Sequence, residues 1–368
     1  MNGRVARVLG LVALVGVLGC RGPRAQGPEA PCTHVQATRE AQGTVLCEDV
    51  WTCGRPPGGR FDRIGLHRLA PCEAVAGPVV LYLPGMHMNG ELAIATPRND
   101  LRVYLAVAGV RTWGVDYRTH AVPADAKPED LAALAGWTSD VFVDDAAWAA
   151  GFVRGLDPGP LVVAGFSQGA TLGYRLAARA HAGLAGLVAL DGVADPPSPP
   201  DGNGPAIDVG GSRLPFPVRR TLLAQVLADP AAPSPLPGFA TAGDALAGVL
   251  YSAKSFGGNG GLANTRDGVS DVRVLAALLS RYDRWWPRAA LDAPPPKPSG
   301  TPLPVLAFAS TKLGSEWVDR VTASARAFGA DAATVRVLPG YGHLDVLVSR
   351  AAARAVYAPT LSWLTGAR

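Results

Sequence analysis

The most informative part of the chain is Leu161-Val-Val-Ala-Gly-Phe-Ser-Gln-Gly-Ala170. Residues 161–164 form a short apolar run, which predicts a fully buried strand of a parallel sheet. Gly165-Phe-Ser-Gln-Gly169 then forms a G-x-S-x-G motif, and residues 170–179 have the composition of a helix. A strand, a tight turn with a central serine and a helix together predict an exposed nucleophile at the tip of the turn.

The residues around Ser167 each have a physical role in this prediction. Side chains at Gly165 and Gly169 would collide with neighbouring backbone in so sharp a turn. Ser167 would lie at the N-terminus of the following helix, where the helix dipole stabilises developing negative charge. The backbone N–H of Gln168 can then point at an oxyanion. We therefore expect Ser167 to be a catalytic nucleophile, with a chance Gly/Ser turn as the alternative.

From this motif outward the sequence resembles the α/β-hydrolase family. The resemblance covers about residues 60–194 and 300–368 and rests on the Ser167 motif, a Pro84-Gly-Met86 turn and a late His343. It implies an α/β fold with a mostly parallel sheet, helices on both faces and a triad of serine, acid and histidine. Within it, residues 61–194 and 301–368 are expected to form the core. Residues 195–300, which carry proline clusters and a glycine-rich loop, are expected to form an inserted cap or lid.

The turn Pro84-Gly85-Met86 follows a predicted buried strand. In the resembled family the residue after this glycine donates a backbone N–H to the oxyanion, which implies that role for Met86, paired with Gln168. His87 comes next, before Ser167 in the chain. Because the family orders its triad as serine, acid and histidine, we expect a substrate-pocket or structural role for His87.

The same resemblance locates the base but leaves the acid open. Of the six histidines, only His343 lies in a glycine-containing turn after the last predicted strand, which is the family's position for the general base. The turn after the strand at residues 304–309, where the family usually has its acid, carries Leu313. Asp191 ends an earlier predicted strand, and Glu316 follows Leu313 in the chain. We expect Asp191 to be the acid, with Glu316 as the alternative.

The N-terminus predicts export. Arg4 and Arg7 form a basic region, and the apolar run that follows is too short to span a bilayer comfortably. Val17-Leu-Gly-Cys20 resembles a bacterial lipobox, so residues 1–20 are predicted to be a signal peptide of lipoprotein type, with lipidation at Cys20. An ordinary cleaved signal peptide is the main alternative, and an uncleaved membrane anchor is a second one that the short apolar run disfavours. The predicted location is a bacterial membrane surface reached through the lipid anchor, or the periplasm or medium.

The other cysteines indicate the same oxidising environment. An even number of cysteines in an exported chain predicts two disulfides with three possible connectivities, here among Cys32, Cys47, Cys53 and Cys72. Their spacings contain no C-x-x-C pair, which disfavours a zinc site. Residues 21–60 are expected to form a tether followed by a disulfide-bearing segment.

Length and charge limit the remaining classes of function. The 368 residues suffice for one large α/β domain with an insertion, or for two domains. The net charge is only +4, and the chain lacks a Lys/Arg run, so nucleic acid is not expected as a partner. The chemistry of a serine triad needs no metal and no organic cofactor.

Together these features predict an exported serine hydrolase that cleaves a small-molecule or lipid carboxylic ester through an acyl-enzyme. A peptidase, thioesterase or acyltransferase of the same fold remains an alternative, because the predicted cap sets specificity. A non-catalytic binding lipoprotein is the alternative from another class. Leu313 at the family's acid position favours the binding protein, whereas Ser167 and His343 favour the enzyme.

Overall fold

The computed structural model describes residues 32–73, 75–90, 98–179, 183–196, 204–209, 214–250, 269–298 and 302–366. The predicted signal peptide, the predicted lipidation site Cys20 and the first part of the predicted tether lie outside the described residues.

The described ranges contain eleven strands. They are β1 (Thr33–Ala41), β2 (Thr44–Gly54), β3 (Arg63–Pro71), β4 (Val79–Leu83), β5 (Arg111–Asp116), β6 (Leu161–Phe166), β7 (Leu184–Leu190), β8 (Ala206–Asp208), β9 (Trp285–Pro287), β10 (Val305–Ser310) and β11 (Ala333–Leu338). Nine of these described strands form one sheet in the order β1-β2-β3-β5-β4-β6-β7-β10-β11, and β8 pairs with β9 in a separate ribbon.

The same ranges contain ten α-helices. They are α1 (Leu101–Val107), α2 (Pro128–Leu131), α3 (Ser139–Leu156), α4 (Gln168–Arg179), α5 (Phe216–Ala228), α6 (Ala242–Leu250), α7 (Val272–Ser280), α8 (Ser315–Gly329), α9 (Asp345–Val348) and α10 (Ala358–Leu364). A 3₁₀ turn, Arg118–Ala121, follows β5.

The large sheet is parallel through its centre and antiparallel at one side. From β5 across β4, β6, β7 and β10 to β11 every neighbouring pair is parallel, whereas β1, β2 and β3 pair antiparallel with their neighbours and β3 pairs antiparallel with β5. All residues of β4 and β6 are buried, as expected for parallel strands that are covered on both faces. The predicted α/β fold with a mostly parallel sheet is confirmed.

Helices cover both faces of this sheet. Leu81 and Val163 point into one apolar cluster, which they share with buried residues of α3, α4 and α8. Val80 and Val162, one position away in each strand, belong to a second cluster with residues of α1, α5 and α7. This alternation follows from the two-residue period of a strand, which sends successive side chains to opposite faces.

The segment between β7 and β10 was predicted to be an insertion, and its described part is compact. α5 packs against α6 and α7, and all three helices contribute to the second apolar cluster. Trp286 in β9 is fully buried and packs against Tyr117 and Phe142, with ring centroids 5.5 and 5.1 Å apart. The segment is therefore attached to the core on both faces of the sheet, and its role as a cap stays a prediction.

The sheet begins earlier than the boundary at residue 61 that the sequence indicates. β1 and β2 extend it from Thr33, and nearly every residue of β1 is exposed. An edge strand with so little burial has no apolar alternation from which it could be predicted.

Two disulfides join these strands in the described part of the chain. Cys32 is bonded to Cys53 across β1 and β2, and Cys47 is bonded to Cys72 across β2 and the end of β3. The prediction of two disulfides among the four cysteines is confirmed. Within the described ranges, no helix combines the length and the apolar character needed to cross a bilayer.

Candidate active site

Ser167 lies in the turn between β6 and α4, in a strained backbone conformation. Its φ is 53°, which is uncommon for a residue with a side chain. The backbone N–H of Ser167 donates to Leu190 O at 3.0 Å, and Ala170 N donates to Ser167 O at 2.9 Å. These bonds fix the turn between the end of β7 and the first turn of α4. Ser167 is half-buried at the point where the parallel strands end.

The two glycines of the motif are required by the backbone around them. A Cβ at Gly165 would lie 2.3 Å from Gly169 O. A Cβ at Gly169 would lie 2.0 Å from Leu83 O and 2.5 Å from Pro84 O. These atoms are main-chain atoms and cannot move aside as a flexible side chain can. The first turn of α4 is therefore packed directly on the end of β4, where the predicted oxyanion turn begins.

His343 and Asp191 are in direct contact. His343 Nδ1 is 2.6 Å from Asp191 Oδ2, and the two side chains are 7% and 0% exposed. The imidazole also packs against Phe166, the residue before Ser167, with ring centroids 4.6 Å apart. The structure thus brings the predicted base and one predicted acid together beside the serine turn.

Asp191 is held by three further donors. Ser310 N donates to Oδ1 at 2.8 Å, Ser310 Oγ donates to Oδ2 at 2.7 Å, and Trp317 Nε1 donates to Oδ1 at 2.9 Å. The backbone of Asp191 is left-handed, with φ of 49°, and its N–H donates to Phe308 O at 3.0 Å. A fully buried carboxylate with this many donors is compensated for the loss of water and fixed in orientation.

Neither Glu316, the alternative acid, nor Asp345, two residues after His343, is the carboxylate that contacts His343 Nδ1. Glu316 is exposed in the first turn of α8, one residue before the Trp317 that contacts Asp191. Asp345 is fully buried but accepts from Ser270 Oγ and, at 2.7 Å, from Gly342 N. Burial is the main reason that the pKa of Asp345 is raised to about 6.

The predicted oxyanion donors lie in adjoining segments. Residues 84–89, called the β4 turn below, include Met86, which is half-buried. Tyr117 Oη donates to Pro84 O at 2.8 Å, and Met88 N donates to Gly85 O at 3.0 Å, so the turn is closed from both sides. Gln168 is buried at the start of α4 and precedes Gly169, where an added Cβ would meet Pro84 O of this turn.

His87, in the β4 turn, contacts the inserted segment. Its backbone is left-handed, with φ of 65°, and its Nδ1 is 3.0 Å from Asp283 O. Burial, with a contribution from the charge of Arg219, lowers the pKa of His87 to about 3. His87 is therefore neutral at physiological pH.

Comparison with solved structures gives the fold. The chain is similar to a candidate lipase from Sulfolobus solfataricus, with a TM-score of 0.72 and 23% identity over 91% of this chain and 99% of that one. The chain has the α/β-hydrolase fold. It is also similar to an alpha/beta hydrolase fold protein from Nakamurella multipartita, with a TM-score of 0.53 and 17% identity over 87% of this chain and 100% of that one. No protein-family model and no curated protein sequence matches the chain.

Within this α/β-hydrolase fold the His343–Asp191 contact indicates which imidazole tautomer is present. A carboxylate can only accept a hydrogen bond, so Nδ1 of His343 carries the proton in this contact. In a neutral imidazole, Nε2 is then the basic nitrogen. This is the tautomer that a general base needs in order to accept a hydroxyl proton.

Three residues of the candidate site were not predicted. Ser310 and Trp317 donate to Asp191, and Asp283 contacts the β4 turn. Trp317 adjoins Glu316, and Asp283 lies in the aromatic stretch Arg281-Tyr-Asp-Arg-Trp-Trp-Pro287, so each neighbourhood carries a visible signal. What the sequence lacks is the strand order that brings them to the site.

Proposed function

We propose that the protein is a serine hydrolase that cleaves a carboxylic ester through an acyl-enzyme. The observation that carries the proposal is the 2.6 Å contact between His343 Nδ1 and Asp191 Oδ2, with the imidazole packed beside the strained Ser167 turn. The α/β-hydrolase fold supports the same chemistry, since this fold hosts serine triads in the order serine, acid and histidine.

In the first half-reaction, Ser167 Oγ attacks the ester carbonyl while His343 Nε2 accepts the hydroxyl proton. Asp191 stabilises the resulting imidazolium and keeps Nδ1–H oriented. The imidazolium then gives its proton to the leaving alkoxide, and an alcohol departs. In the second half, His343 takes a proton from water, the hydroxide attacks the acyl-enzyme, and the carboxylic acid leaves as Ser167 recovers its proton.

The tetrahedral intermediates carry negative charge on the former carbonyl oxygen. We assign the backbone N–H groups of Met86 and Gln168 to this oxyanion, because the β4 turn and the start of α4 abut at Gly169. The N-terminus of α4 adds a favourable dipole at the same place. Donors of this kind are worth on the order of 100- to 1,000-fold in kcat.

Hydrolysis of p-nitrophenyl esters of graded acyl length tests the proposal, with wild type and Ser167→Ala compared. We expect Ser167→Ala to lose at least about 1,000-fold in kcat. A fluorophosphonate should label wild type and not Ser167→Ala, which gives a second readout that does not depend on the ester. Equal turnover by the two proteins would refute the proposal. Labelling without ester cleavage would favour a thioester or peptide substrate, and the absence of labelling would favour a binding protein.

We also propose that the protein is exported and lipid-anchored through Cys20. The two disulfides support an oxidising compartment. Expression of the full chain with a radiolabelled fatty acid, beside a Cys20→Ser variant, tests the anchor. The label should appear in the membrane fraction of wild type only. If the wild-type protein were unlabelled and soluble, the lipid anchor would be refuted, and an ordinary cleaved signal peptide would remain as the interpretation.

A further inference from the structure

The β4 turn is bound to the inserted segment by a short set of hydrogen bonds. Asp283 N donates to His87 O at 2.7 Å, and His87 Nδ1 donates to Asp283 O at 3.0 Å. Asn89 Nδ2 donates to Arg281 O at 3.1 Å. The turn that carries Met86 is thus paired along residues 87–89 with residues 281–283, which lie almost 200 positions later in the chain.

The side chain of Asp283 is anchored in the core. Its Oδ2 accepts from Thr119 Oγ1 at 3.0 Å, and its Oδ1 is 2.8 Å from His120 Nδ1. Thr119 and His120 belong to the 3₁₀ turn that follows β5, so they are fixed by the sheet. The carboxylate is 7% exposed, whereas the imidazole of His120 is 50% exposed. Asp283 therefore connects the β4 turn, the inserted segment and the end of β5.

The conformation of His87 needs such support. A φ of 65° is uncommon for a histidine and persists where surrounding contacts favour it over the ordinary conformations. The two hydrogen bonds with the main chain of Asp283, one at the His87 carbonyl and one at its imidazole, supply these contacts. The neighbour on the other side of Met86 is Gly85, which has no side chain to restrict the backbone. A change at residue 283 is therefore transmitted to the peptide that we assign to the oxyanion.

We propose that Asp283 is a positioning residue, which holds the β4 turn in the shape that lets the Met86 N–H stabilise the oxyanion. This role rests on the proposed hydrolase function. Asp283 acts through His87 and does not touch the reacting atoms. A misplaced oxyanion donor stabilises the transition state less, whereas it hardly changes the binding of the substrate. We therefore expect a change at Asp283 to lower kcat and to leave KM nearly unchanged.

Kinetics of Asp283→Ala with p-nitrophenyl esters, together with inhibition by a trifluoromethyl ketone, test the role. The ketone forms a tetrahedral adduct with an oxyanion, so its affinity reports the oxyanion donors. We expect kcat and the affinity for the ketone to fall together by about 10-fold or more, with KM changed by less than about 3-fold. Asp283→Asn, which keeps an acceptor for Thr119, should recover part of the loss. Asp229→Ala removes an exposed carboxylate after α5 in the same segment and should leave both quantities unchanged.

The outcomes separate this role from the hydrolase function itself. If wild type shows no hydrolysis that depends on Ser167, the proposed function fails and this role fails with it. If wild type is active and folded Asp283→Ala keeps its kcat and its affinity for the ketone, the role alone is refuted. If Asp283→Ala does not fold, the same two quantities are measured for His120→Gln, which removes only the half-exposed partner of Asp283. A smaller loss of the same pattern would support the role, and unchanged values would refute it.

Discussion

His343 and Asp191, 152 positions apart in the chain, are in direct contact, with 2.6 Å between Nδ1 and Oδ2. The pairing depends on β7 and β10 being neighbours in the sheet, since Asp191 follows β7 and its carboxylate accepts from Ser310 at the end of β10. The carboxylate that contacts the imidazole therefore comes from the end of β7, and not from the turn after β10. Leu313, at the family's usual position for the acid, is therefore compatible with the proposed triad, in which Asp191 is the acid.

The first prediction separates the two carboxylates that the sequence left open. Asp191→Asn keeps the shape of the side chain but lets its amide favour the wrong imidazole tautomer, so kcat should fall by about 1,000- to 10,000-fold. Glu316→Gln changes an exposed carboxylate on α8 and should stay within about 2-fold of wild type. Ester kinetics on the two variants measure this. A large loss in Glu316→Gln with an active Asp191→Asn would reverse the assignment.

The second prediction concerns the indole that holds Asp191. Trp317→Phe removes the Nε1–H that donates to Asp191 Oδ1 and keeps most of the aromatic surface. A hydrogen bond to a charged group contributes on the order of 1.5–3 kcal/mol, so we expect kcat to fall by about 10-fold as the carboxylate becomes less well oriented. Trp148→Phe on α3, where the indole packs against Phe152, is the matched control and should keep full activity. If Trp317→Phe were as active as Trp148→Phe and wild type, the hydrogen bond from the indole would not contribute to the orientation of Asp191.

The residues of the candidate site that could be predicted from the sequence lie in local motifs. The Ser167 turn is encoded within ten residues, and the role of His343 follows from the resemblance to a family whose base lies in such a turn after the last strand. The contact of Asp191 with His343 could not be read in the same way, because it depends on which strands are neighbours. The contact between Asp283 and His87 could not be predicted for the same reason, because the two residues are far apart in the chain.

The fold shows a similar division. The central strands are continuous apolar runs, because both of their faces are covered, and they were predicted from that pattern. β1 was not predicted as part of the sheet, since an exposed edge strand stabilised by its neighbour and a disulfide needs little apolar surface. Its pairing is specified by β2 and by Cys32–Cys53 rather than by its own composition.

The third prediction tests the close packing at the serine turn. Gly169→Ala places a Cβ about 2 Å from Leu83 O, so the start of α4 must move away from β4. We expect a loss of about 3 kcal/mol in the free energy of unfolding, together with loss of activity. Gly151→Ala is the control, because a Cβ at this exposed position of α3 meets nothing within 4 Å. It should stabilise the protein by about 0.5–1 kcal/mol, and urea unfolding measures both changes. A Gly169→Ala protein as stable as wild type would contradict the packing.

The fourth prediction concerns Asp345. Its pKa is raised from 3.8 to about 6, mainly by burial, so the folded state holds a proton that the unfolded state has lost between these pH values. The stability contributed by this group therefore falls as pH rises from 3.8 through 6. Asp345→Asn does not titrate, so its stability relative to wild type should rise over this range, by on the order of 3 kcal/mol, and level off above it.

Urea unfolding of wild type and Asp345→Asn at pH 4, 5, 6 and 7 measures this difference. The amide can still accept from Gly342 N and donate to Ser270 Oγ, so the two bonds of the carboxylate are retained. Asp229→Asn, an exposed position, controls for the substitution itself. A stability difference between Asp345→Asn and wild type that does not change with pH would mean that Asp345 titrates alike in the folded and unfolded chains.

The fifth prediction concerns His120, the half-exposed partner of Asp283. The hydrogen bond to Asp283 is the largest reason that the pKa of His120 is raised from 6.5 to about 9. Burial opposes this rise, the charge of Asp116 adds to it, and His67 lowers the pKa slightly. For a histidine with a raised pKa in the folded state, the stabilisation is complete below pH 6.5 and is lost as pH rises through 9. The advantage of wild type over His120→Gln should therefore shrink across this interval.

Thermal unfolding of wild type and His120→Gln at pH 6, 7.5, 9 and 10 tests the sign. Because the imidazole is 50% exposed, the effect should be modest and smaller in high salt, which screens an exposed ion pair. Asp283→Asn should flatten the same pH dependence, since it removes the negative charge on which the raised pKa depends. If wild type keeps a constant advantage over His120→Gln from pH 6 to 10, His120 does not carry a proton to Asp283, and the anchor of the β4 turn is a neutral hydrogen bond.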